Sequence, residues 1–333
     1  MASSFLDPPA SFAERFFSRL DGRTALSFAE FMELALYDPV CGYYRQNRER
    51  VARQAQADFF TAESFREVFS ALIAAAAVNL LGGRDPADFV FVEVGAEPGG
   101  GLLPEALSGF RDFRVVRFGE VVEWPTHSIL FSNELYDAQP FHRVVRRGGT
   151  WIESGVTLRD GVPVWTEMEK VSPPVRQRLD QLPTDSAEGT VIDLPIAAAD
   201  LLLGQVSGGW QGIVIAADYG KSWTALARDF PEGTGRAYRN HRMENDLLAE
   251  PGQQDLTCHI CWDWMEDILR QNRFEEVRVE SQEGFFMHHA RDVIHGIIAG
   301  PAGPLSPGHS QLKTLLHPGL MGQKFQVLHG RRL

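Results

Sequence analysis

Three short apolar segments, each ending at a polar residue, restrict the possible folds more than any other feature of the sequence. They lie at residues 89–94, 129–133 and 212–218, and helical patterns separate them. Apolar runs of this length are typical of parallel strands that are buried on both faces of a sheet. The sequence therefore predicts an α/β fold built on a parallel sheet.

The carboxyl ends of these predicted strands carry acidic and amide side chains. Glu93 lies at the end of the first strand, Asn133 and Glu134 follow the second, and Asp218 ends the third. Ligands of open α/β sheets bind beyond the carboxyl ends of the strands. We therefore expect these four side chains to line one crevice.

A glycine-rich loop at residues 95–101 follows the first predicted strand directly. Glycines let the backbone approach a ligand closely, and a helix expected at residues 102–107 would present free N–H groups there. The loop departs from the Gly-x-Gly-x-Gly pattern of nucleotide-binding turns, because Glu97 stands at its middle position. A loop that serves only to turn the chain is the alternative interpretation.

The rest of the chain is expected to add helices and an inserted β region. Helical spacing of apolar residues predicts helices within 11–36 and 64–81, and Ser27 with Glu30 forms the pattern of a capping box. Alternation predicts strands within 141–167 and 274–289, and a last helix precedes a strand at 325–328. We predict an N-terminal helical region over residues 1–86. A Rossmann-like domain would then occupy residues 87–333, with a β insertion around 141–190.

Composition excludes several classes of function. The chain has 32 basic and 44 acidic residues, a net charge of −12, which argues against binding to a phosphate backbone as the main activity. Its longest apolar stretch, residues 71–81, is far shorter than the roughly 20 residues that span a bilayer. We expect neither a nucleic-acid partner nor a membrane partner.

The cysteines and the first residues bear on the expected compartment. Cys41, Cys258 and Cys261 are an odd number in a long chain, so no disulfide framework is expected and a reducing cytoplasm is the predicted location. The N-terminal sequence lacks the features of a targeting peptide and resembles mature protein. Cys258 and Cys261 have the spacing of metal ligands, but no second cysteine pair completes a zinc site, so we expect no bound metal.

Two groups of side chains are candidates for chemistry. Glu134 and Asp137, beside Asn133, could hold a guanidinium group through paired carboxylates, although capping of the following turn is the alternative. His241 and His259 are candidate bases because histidine titrates near neutral pH, with a structural, hydrogen-bonded role as the alternative. Asp255 and Thr257 are expected to cap a helix that begins near residue 262.

A series of short motifs runs in order over nearly the whole chain: Asp38-Pro39, Gly42-Tyr43-Tyr44, Asp58-Phe59-Phe60-Thr61, Glu93-Val94-Gly95, Asn133-Glu134-Leu135-Tyr136-Asp137, Asp218-Tyr219-Gly220, Asp255-Leu256-Thr257 and Met321-Gly322-Gln323-Lys324-Phe325. This series resembles one known family, the MidA-like S-adenosylmethionine-dependent methyltransferases, which include a mitochondrial arginine methyltransferase that supports assembly of respiratory complex I. Any one motif is unspecific, whereas the ordered set is specific.

The resemblance implies roles for particular residues. Glu93 and the loop from Gly95 to Gly99 would bind the methionine end of S-adenosyl-L-methionine, and the segment with Asp58 and Thr61 would help to close the site. Glu134 and Asp137, with Asn133 and His259, would form the catalytic group around an acceptor nitrogen. The fold implied is the Rossmann-like sheet of class I methyltransferases, with an N-terminal helical region and inserted β elements.

One segment is shorter than that fold leads us to expect. Residues 102–128 number 27, where two helices and two strands with their loops need about 40. The resemblance implies that the missing strand–helix unit carries the acidic residue that binds the ribose hydroxyls of the cofactor. Glu120 is the best candidate that remains, and Glu123 is the second.

The resemblance implies a methyltransferase that acts on a protein arginine, with an arginine-bearing subunit of a respiratory complex as one expected partner. The alternative is a degenerate family member without catalytic activity that acts as a protein-binding or assembly factor. The altered loop Ala96-Glu97-Pro98-Gly99 and the shortened segment favour that alternative. A nicotinamide-linked dehydrogenase is a third interpretation, which the motifs beyond the glycine loop do not support.

Overall fold

The protein is described by a computed structural model. The described residues are 11–45, 65–96, 100–117, 119–239, 242–300, 303 and 306–333. Three of the predicted cofactor-binding residues, Asp58, Thr61 and Gly99, lie outside the described residues, as does the candidate base His241. Within the described part of the chain, no helix is both long and apolar enough to cross a membrane.

The helices of the described residues are α1 (Phe12–Leu20), α2 (Phe28–Tyr37), α3 (Arg66–Leu80), α4 (Pro173–Arg176), α5 (Ile196–Val206), α6 (Trp223–Arg228), α7 (Trp262–Gln271), α8 (Gln282–His289), α9 (Arg291–Ala299) and α10 (Pro307–Leu316). The predicted helices within 11–36 and 64–81 are confirmed by α1, α2 and α3. The predicted capping box of α2 is also confirmed, because Ser27 Oγ accepts the Glu30 amide at 3.2 Å and the Glu30 carboxylate accepts the Ser27 amide at 2.8 Å.

The strands are β1 (Leu26–Ser27), β2 (Val90–Val94), β3 (Asp112–Val116), β4 (His127–Asn133), β5 (His142–Arg147), β6 (Thr150–Arg159), β7 (Val162–Glu167), β8 (Val191–Leu194), β9 (Gln211–Asp218), β10 (Gly220–Lys221), β11 (Arg236–Arg239), β12 (Arg242–Glu244), β13 (Asp255–Thr257), β14 (Ile260–Cys261), β15 (Glu275–Ser281) and β16 (Gln326–Arg332). The three apolar strands that the sequence predicts are β2, β4 and β9. The α/β fold is therefore confirmed.

The chain divides into two compact units, each made of three separate segments. The first unit comprises Met1–Asp58, Ala138–Ala198 and Thr224–His259, and the second comprises Phe59–Asp137, Ala199–Trp223 and Ile260–Leu333. The division of the chain into residues 1–86 and 87–333, with an insertion around 141–190, stays a prediction.

The first unit contains an antiparallel sheet and the two N-terminal helices. Its sheet has the strand order β1-β6-β5-β8, with β7 paired to β6, and β11 pairs separately with β12 and β13. The buried side chains of Phe28, Phe31, Phe141 and Val156 belong to one hydrophobic core in this unit. Each such side chain stabilises the folded state by roughly 1.5–3 kcal/mol relative to exposure.

The second unit contains a six-stranded sheet with the order β15-β16-β9-β4-β2-β3. Strands β2, β3, β4 and β9 are parallel, while β16 runs antiparallel to both β9 and β15. Phe91, Phe131 and Ile215 from three neighbouring strands are fully buried in one core with Leu72 and Ile73 of α3. Burial on both faces explains why these strands contain almost no polar residues before their ends.

Three local predictions are wrong in whole or in part. Residues 102–107 are helical only as a short 3-10 helix at Pro104–Leu107 and contain no α-helix. Residues 274–289 are half strand and half helix, since Ser281 caps α8 by accepting the Gly284 amide at 3.1 Å. Asp255 and Thr257 lie in β13, and α7 begins without a side-chain cap.

The shortening between β2 and β4 is confirmed by the described residues of this segment. They form the 3-10 helix and the single strand β3, and the described residues between β3 and β4 contain no α-helix. Strand β3 is therefore the edge of the sheet, and its residues are less buried than those of β2. The acidic candidates Glu120 and Glu123 lie in the short connection that follows it.

Candidate functional site

Three parallel strands of the second unit end at the same edge of its sheet. The pairing register places Val94 of β2 beside Ser132 of β4, and Asn133 of β4 beside Ala217 of β9. The residues that follow each strand therefore meet at this edge, which we call the acidic edge because Glu93, Glu134, Asp137 and Asp218 all lie there. The crevice side chains predicted from the sequence are brought together.

Gly95 begins the loop that follows β2. Its amide donates to the Val116 carbonyl at 2.8 Å, and its φ of +87° is a conformation that side chains rarely adopt. A Cβ at this position would lie 2.6 Å from Leu135 Cδ1, well inside van der Waals contact. The absence of a side chain lets the loop after β2 pass close to the turn after β4.

Glu93 fixes the far end of the same loop. Its carboxylate is buried and accepts the Leu102 amide at 2.9 Å. Arg66 Nε donates to the Gly101 carbonyl at 2.7 Å, and Ser70 Oγ accepts the Leu103 amide at 2.9 Å. Arg66 and Ser70 could not be predicted from the sequence, because they lie on α3, far from the loop in the chain and without a recognisable motif.

The turn after β4 is held in an uncommon conformation. Glu134 has a φ of +51°, which costs a residue with a side chain about 1–2 kcal/mol, and its amide donates to the Ala217 carbonyl at 3.0 Å. One carboxylate oxygen of Asp218 accepts the Tyr136 amide at 2.8 Å. Backbone strain of this kind is found preferentially at functional sites.

Asp218 acts on this turn from the end of β9 and is completely buried. Burial raises the pKa of its carboxyl group to about 7, while hydrogen bonds from the backbone amides of the turn act in the opposite direction. Burial also raises the pKa of Tyr136, whose hydroxyl donates to Gln205 Oε1 at 2.6 Å. Asp218 therefore supports the turn from within, and its carboxylate is already occupied by backbone amides.

Asn133 carries an acceptor that the described residues do not satisfy. Its Nδ2 donates to Glu134 Oε1 at 3.2 Å, whereas its Oδ1 is buried without a hydrogen-bond partner among the described residues. A buried acceptor without a partner costs about 1–3 kcal/mol. A ligand that donates an N–H group at this position would recover the cost.

The two candidates for the ribose contact lie beyond β3. Glu120 is exposed, and its carboxylate accepts the Arg117 amide at 2.8 Å. Glu120 and Glu123 both line a surface cavity of about 580 Å³, together with Val92, Arg114 and Val116. The two acidic candidates are therefore close to one another.

His259, the fourth predicted catalytic residue, belongs to the first unit. Its amide donates to Thr234 Oγ1 at 3.3 Å, and its ring lies edge-on to Phe230 with centroids 5.6 Å apart. Its assignment to the catalytic group stays a prediction, and so do the roles of Asp58, Thr61 and Gly99.

A strained turn, a glycine loop and acidic side chains at the carboxyl edge of a parallel sheet define a ligand-binding α/β protein. Residues 102–278 match the family model described as "Putative S-adenosyl-L-methionine-dependent methyltransferase". The match extends over more than half of the chain, and the chain belongs to this family. S-adenosyl-L-methionine is accordingly its cofactor, as the resemblance implied.

Known relatives agree with this family. The chain is 24% identical over 160 residues to the protein arginine methyltransferase NDUFAF7, mitochondrial, of Xenopus tropicalis, and the match covers 47% of this chain. It spans only about a third (35%) of the length of that relative.

Two crystal structures of proteins from Burkholderia thailandensis, both members of one superfamily, have the same fold as this chain. One, described as a "likely methyl transferase" bound to S-adenosyl-homocysteine, has a TM-score of 0.81 and 22% identity, with 96% of this chain and 92% of the other covered. The second, an uncharacterized protein, has a TM-score of 0.80 and 22% identity, with coverage of 96% and 91%. The Rossmann-like methyltransferase fold is confirmed.

The residues of the acidic edge fit this cofactor. S-adenosyl-L-methionine carries a sulfonium and an ammonium group, both positively charged, beside its carboxylate, and the acidic residues of the edge provide a negative environment in which the unsatisfied Oδ1 of Asn133 could accept from the ammonium group. The described ends of the glycine loop are held at this edge by the Gly95 amide and by Glu93. Glu93 and Gly95 would hold the methionine end, and Glu120 is the candidate for the ribose.

Proposed function

We propose that this methyltransferase modifies the guanidinium group of arginine in a protein substrate. The observation that carries the proposal is the acidic edge, where the partly exposed Glu134 follows β4 and accepts a hydrogen bond from the Nδ2 of Asn133, with the buried Asp137 three residues further along. A guanidinium group has five N–H donors in one plane, and carboxylates are its preferred partners. An acidic edge therefore suits an arginine acceptor better than a neutral one.

The contribution of the protein is binding, orientation and proton removal. When bound, S-adenosyl-L-methionine supplies an activated methyl group. Glu134 and Asp137 would hold the guanidinium so that one nitrogen points along the line of transfer, and such orientation supplies much of the rate acceleration in bimolecular reactions. Glu134, which is partly exposed, would accept the proton that this nitrogen loses.

Two further facts support a protein arginine as the acceptor. The Xenopus relative is named a protein arginine methyltransferase, although the identity is 24% over part of each chain. The net charge of −12 favours encounter with basic peptides. An arginine-bearing subunit of a respiratory complex is one such substrate. A cytoplasmic location stays a prediction, and the named relative is mitochondrial.

A binding or assembly role without catalysis is the second candidate function. The observation that favours it is the short connection after β3, whose described residues contain no helix and leave Glu120 exposed. Such a member would keep the fold and a partner surface but bind the cofactor weakly.

Measurements of cofactor binding and of methyl transfer distinguish the two candidate functions. We expect calorimetric titration of the folded protein with S-adenosyl-homocysteine to give micromolar affinity. Incubation with radiolabelled S-adenosyl-L-methionine and arginine-rich peptides should give methylarginine, which mass spectrometry identifies. Absence of binding at millimolar ligand would favour the assembly role, and methylation of another residue type would contradict the arginine assignment.

Glu134→Gln tests the proposed acceptor contact. We expect the methylation rate to fall on the order of a hundredfold, the typical loss when one preorganised charged group of a transition state is removed. Affinity for S-adenosyl-homocysteine should stay within a factor of about three. Glu105→Gln makes the same change at an exposed position of the same unit and should leave both quantities unchanged. Equal rates for the two variants would remove Glu134 from the mechanism.

A further inference from the structure

A cluster of three histidines and one glutamate lies away from the acidic edge, in the second unit. Glu280 is on β15, His329 is in the middle of β16, and His288 and His289 are the last residues of α8. One ligand atom from each of Glu280, His289 and His329 lies within 4.8 Å of the others. Neither the family assignment nor the proposed methyl transfer uses these residues.

The three donor atoms of the cluster are close enough together to share one metal ion. Glu280 Oε1 lies 3.4 Å from His289 Nε2 and 2.9 Å from His329 Nε2. Donors bound tetrahedrally to zinc at 2.0–2.1 Å are separated from one another by about 3.4 Å. Small side-chain adjustments are therefore enough to place one ion between the three donors.

The tautomer of His289 supports the same conclusion. Its Nδ1 donates to Asn79 Oδ1 at 2.8 Å, so the lone pair of the neutral ring is on Nε2 and faces the Glu280 carboxylate. At 3.4 Å this Nε2 lone pair and the carboxylate repel each other unless a proton or a metal cation lies between them. A metal-binding histidine characteristically donates its other ring nitrogen to an oxygen, as His289 does here.

The surroundings restrict the rings and limit access of water. The Phe285 ring is buried, and its centroid lies 5.1 Å from that of His289 and 5.4 Å from that of His329. His288 contacts the other carboxylate oxygen of Glu280, Oε2, through its Nδ1 and is itself largely exposed. Arg278 stands opposite His329 in the β15–β16 pair and is the nearby cation that a bound metal must tolerate.

We propose that Glu280, His289 and His329 bind a zinc ion. Two imidazoles and one carboxylate form a donor set that suits zinc, and His288 would orient Glu280 from the solvent side. The ion would connect α8 to β15 and β16 and so stabilise this side of the sheet. The sequence predicts no metal because that expectation rests on the spacing of Cys258 and Cys261. The proposed ligands instead come from two strands and a helix that only the fold brings together.

Metal titration of tag-free protein, stripped with a chelator, tests the proposal. We expect one equivalent of Co²⁺ to produce the visible absorption bands of a low-coordinate site and one equivalent of Zn²⁺ to remove them. His289→Ala should weaken Co²⁺ affinity at least a hundredfold. Asn79→Ala, which removes the exposed partner of His289, should weaken it about 10- to 100-fold.

His295→Ala is the matched control, because His295 is an exposed histidine on the neighbouring helix α9. It should bind Co²⁺ like the unaltered protein, and Zn²⁺ should raise the melting temperature of both but not that of His289→Ala. The proposal is overturned if the unaltered protein gives no cobalt spectrum, or if Asn79→Ala and His295→Ala bind equally well. Neither readout depends on methyl transfer, so the outcome is independent of the proposed function.

Discussion

At the scale of single residues, the acidic edge depends on side chains that act on the backbone as much as on side chains that face a ligand. Glu93 and Asp218 were both predicted to line the crevice, and both are buried acceptors of backbone amides. Their carboxylates hold the loop after β2 and the turn after β4, which approach each other at Gly95 and Leu135. Glu134, which is partly exposed at the strained turn, is the better candidate for contact with the acceptor.

Gly95→Ala measures how closely the two turns approach. Ala at this φ costs about 1–2 kcal/mol, and the contact with Leu135 Cδ1 adds roughly 1–3 kcal/mol. Gly83→Ala is the control, since Gly83 has a φ of +91° but no atom within 4 Å of the position that a methyl group would occupy. We expect urea denaturation to show a larger loss of unfolding free energy for Gly95→Ala than for Gly83→Ala.

The double variant Gly95→Ala/Leu135→Ala separates the two causes. It removes the side chain that the new methyl group meets. Its loss of unfolding free energy relative to Leu135→Ala alone should therefore equal the loss measured for Gly83→Ala. Equal losses for the single variants Gly95→Ala and Gly83→Ala would show that the two turns separate without cost.

At the scale of elements, the end of α2 shows how one carboxylate organises the first unit. Asp38 accepts two bonds from Arg15 of α1, at 2.9 and 2.6 Å, and the Val40 amide at 2.9 Å. Burial opposes ionisation of Asp38, but these hydrogen bonds outweigh it and lower its pKa. Helices α1 and α2 are thereby joined by an ion pair that requires the Asp38 carboxyl group to stay ionised.

This arrangement predicts a dependence of stability on acid. A carboxyl group whose pKa is lowered in the folded state stabilises the fold above its unfolded pKa, near 3.9, and the stabilisation is lost as the pH falls through the folded value. Asp38→Asn should therefore lower the urea midpoint at pH 7. Below about pH 4 the variant should lose less further stability than the unaltered protein does. Asp112→Asn, which removes an exposed ion pair with Arg114, is the control and should leave the urea midpoint at pH 7 nearly unchanged.

The incorrect predictions at this scale have a common origin. Residues 282–289 contain apolar residues that suit both strand and helix, and the cap at Ser281 favours the helix α8. The segment 102–107 has helical spacing but is too short, and Pro104 starts a 3-10 turn instead. The secondary structure of short segments is determined by their end residues and by packing rather than by the periodicity of apolar residues.

At the scale of the whole molecule, ligand binding and stability are linked. A ligand that binds only the folded state adds about 2.7 kcal/mol to the unfolding free energy at a concentration one hundred times its dissociation constant. We expect S-adenosyl-homocysteine to produce this increment in chemical denaturation. Glu134→Gln should show the same increment, because its proposed role concerns the acceptor. An unaltered midpoint under these conditions would contradict binding to the folded protein.

The sequence by itself determined the α/β class, the three buried strands and the polar residues at their ends. These features are local, because a buried parallel strand needs an uninterrupted apolar run and a ligand edge needs polar residues where that run stops. The ordered motifs also identified the family.

Only the tertiary structure decided which of those polar residues support the backbone of the neighbouring turns. It also brought Arg66 to the glycine loop, and Glu280 to His289 and His329. Each of these contacts joins residues that are separated in the chain. Their proximity depends on strand order and helix packing, for which the local pattern of side chains carries no signal.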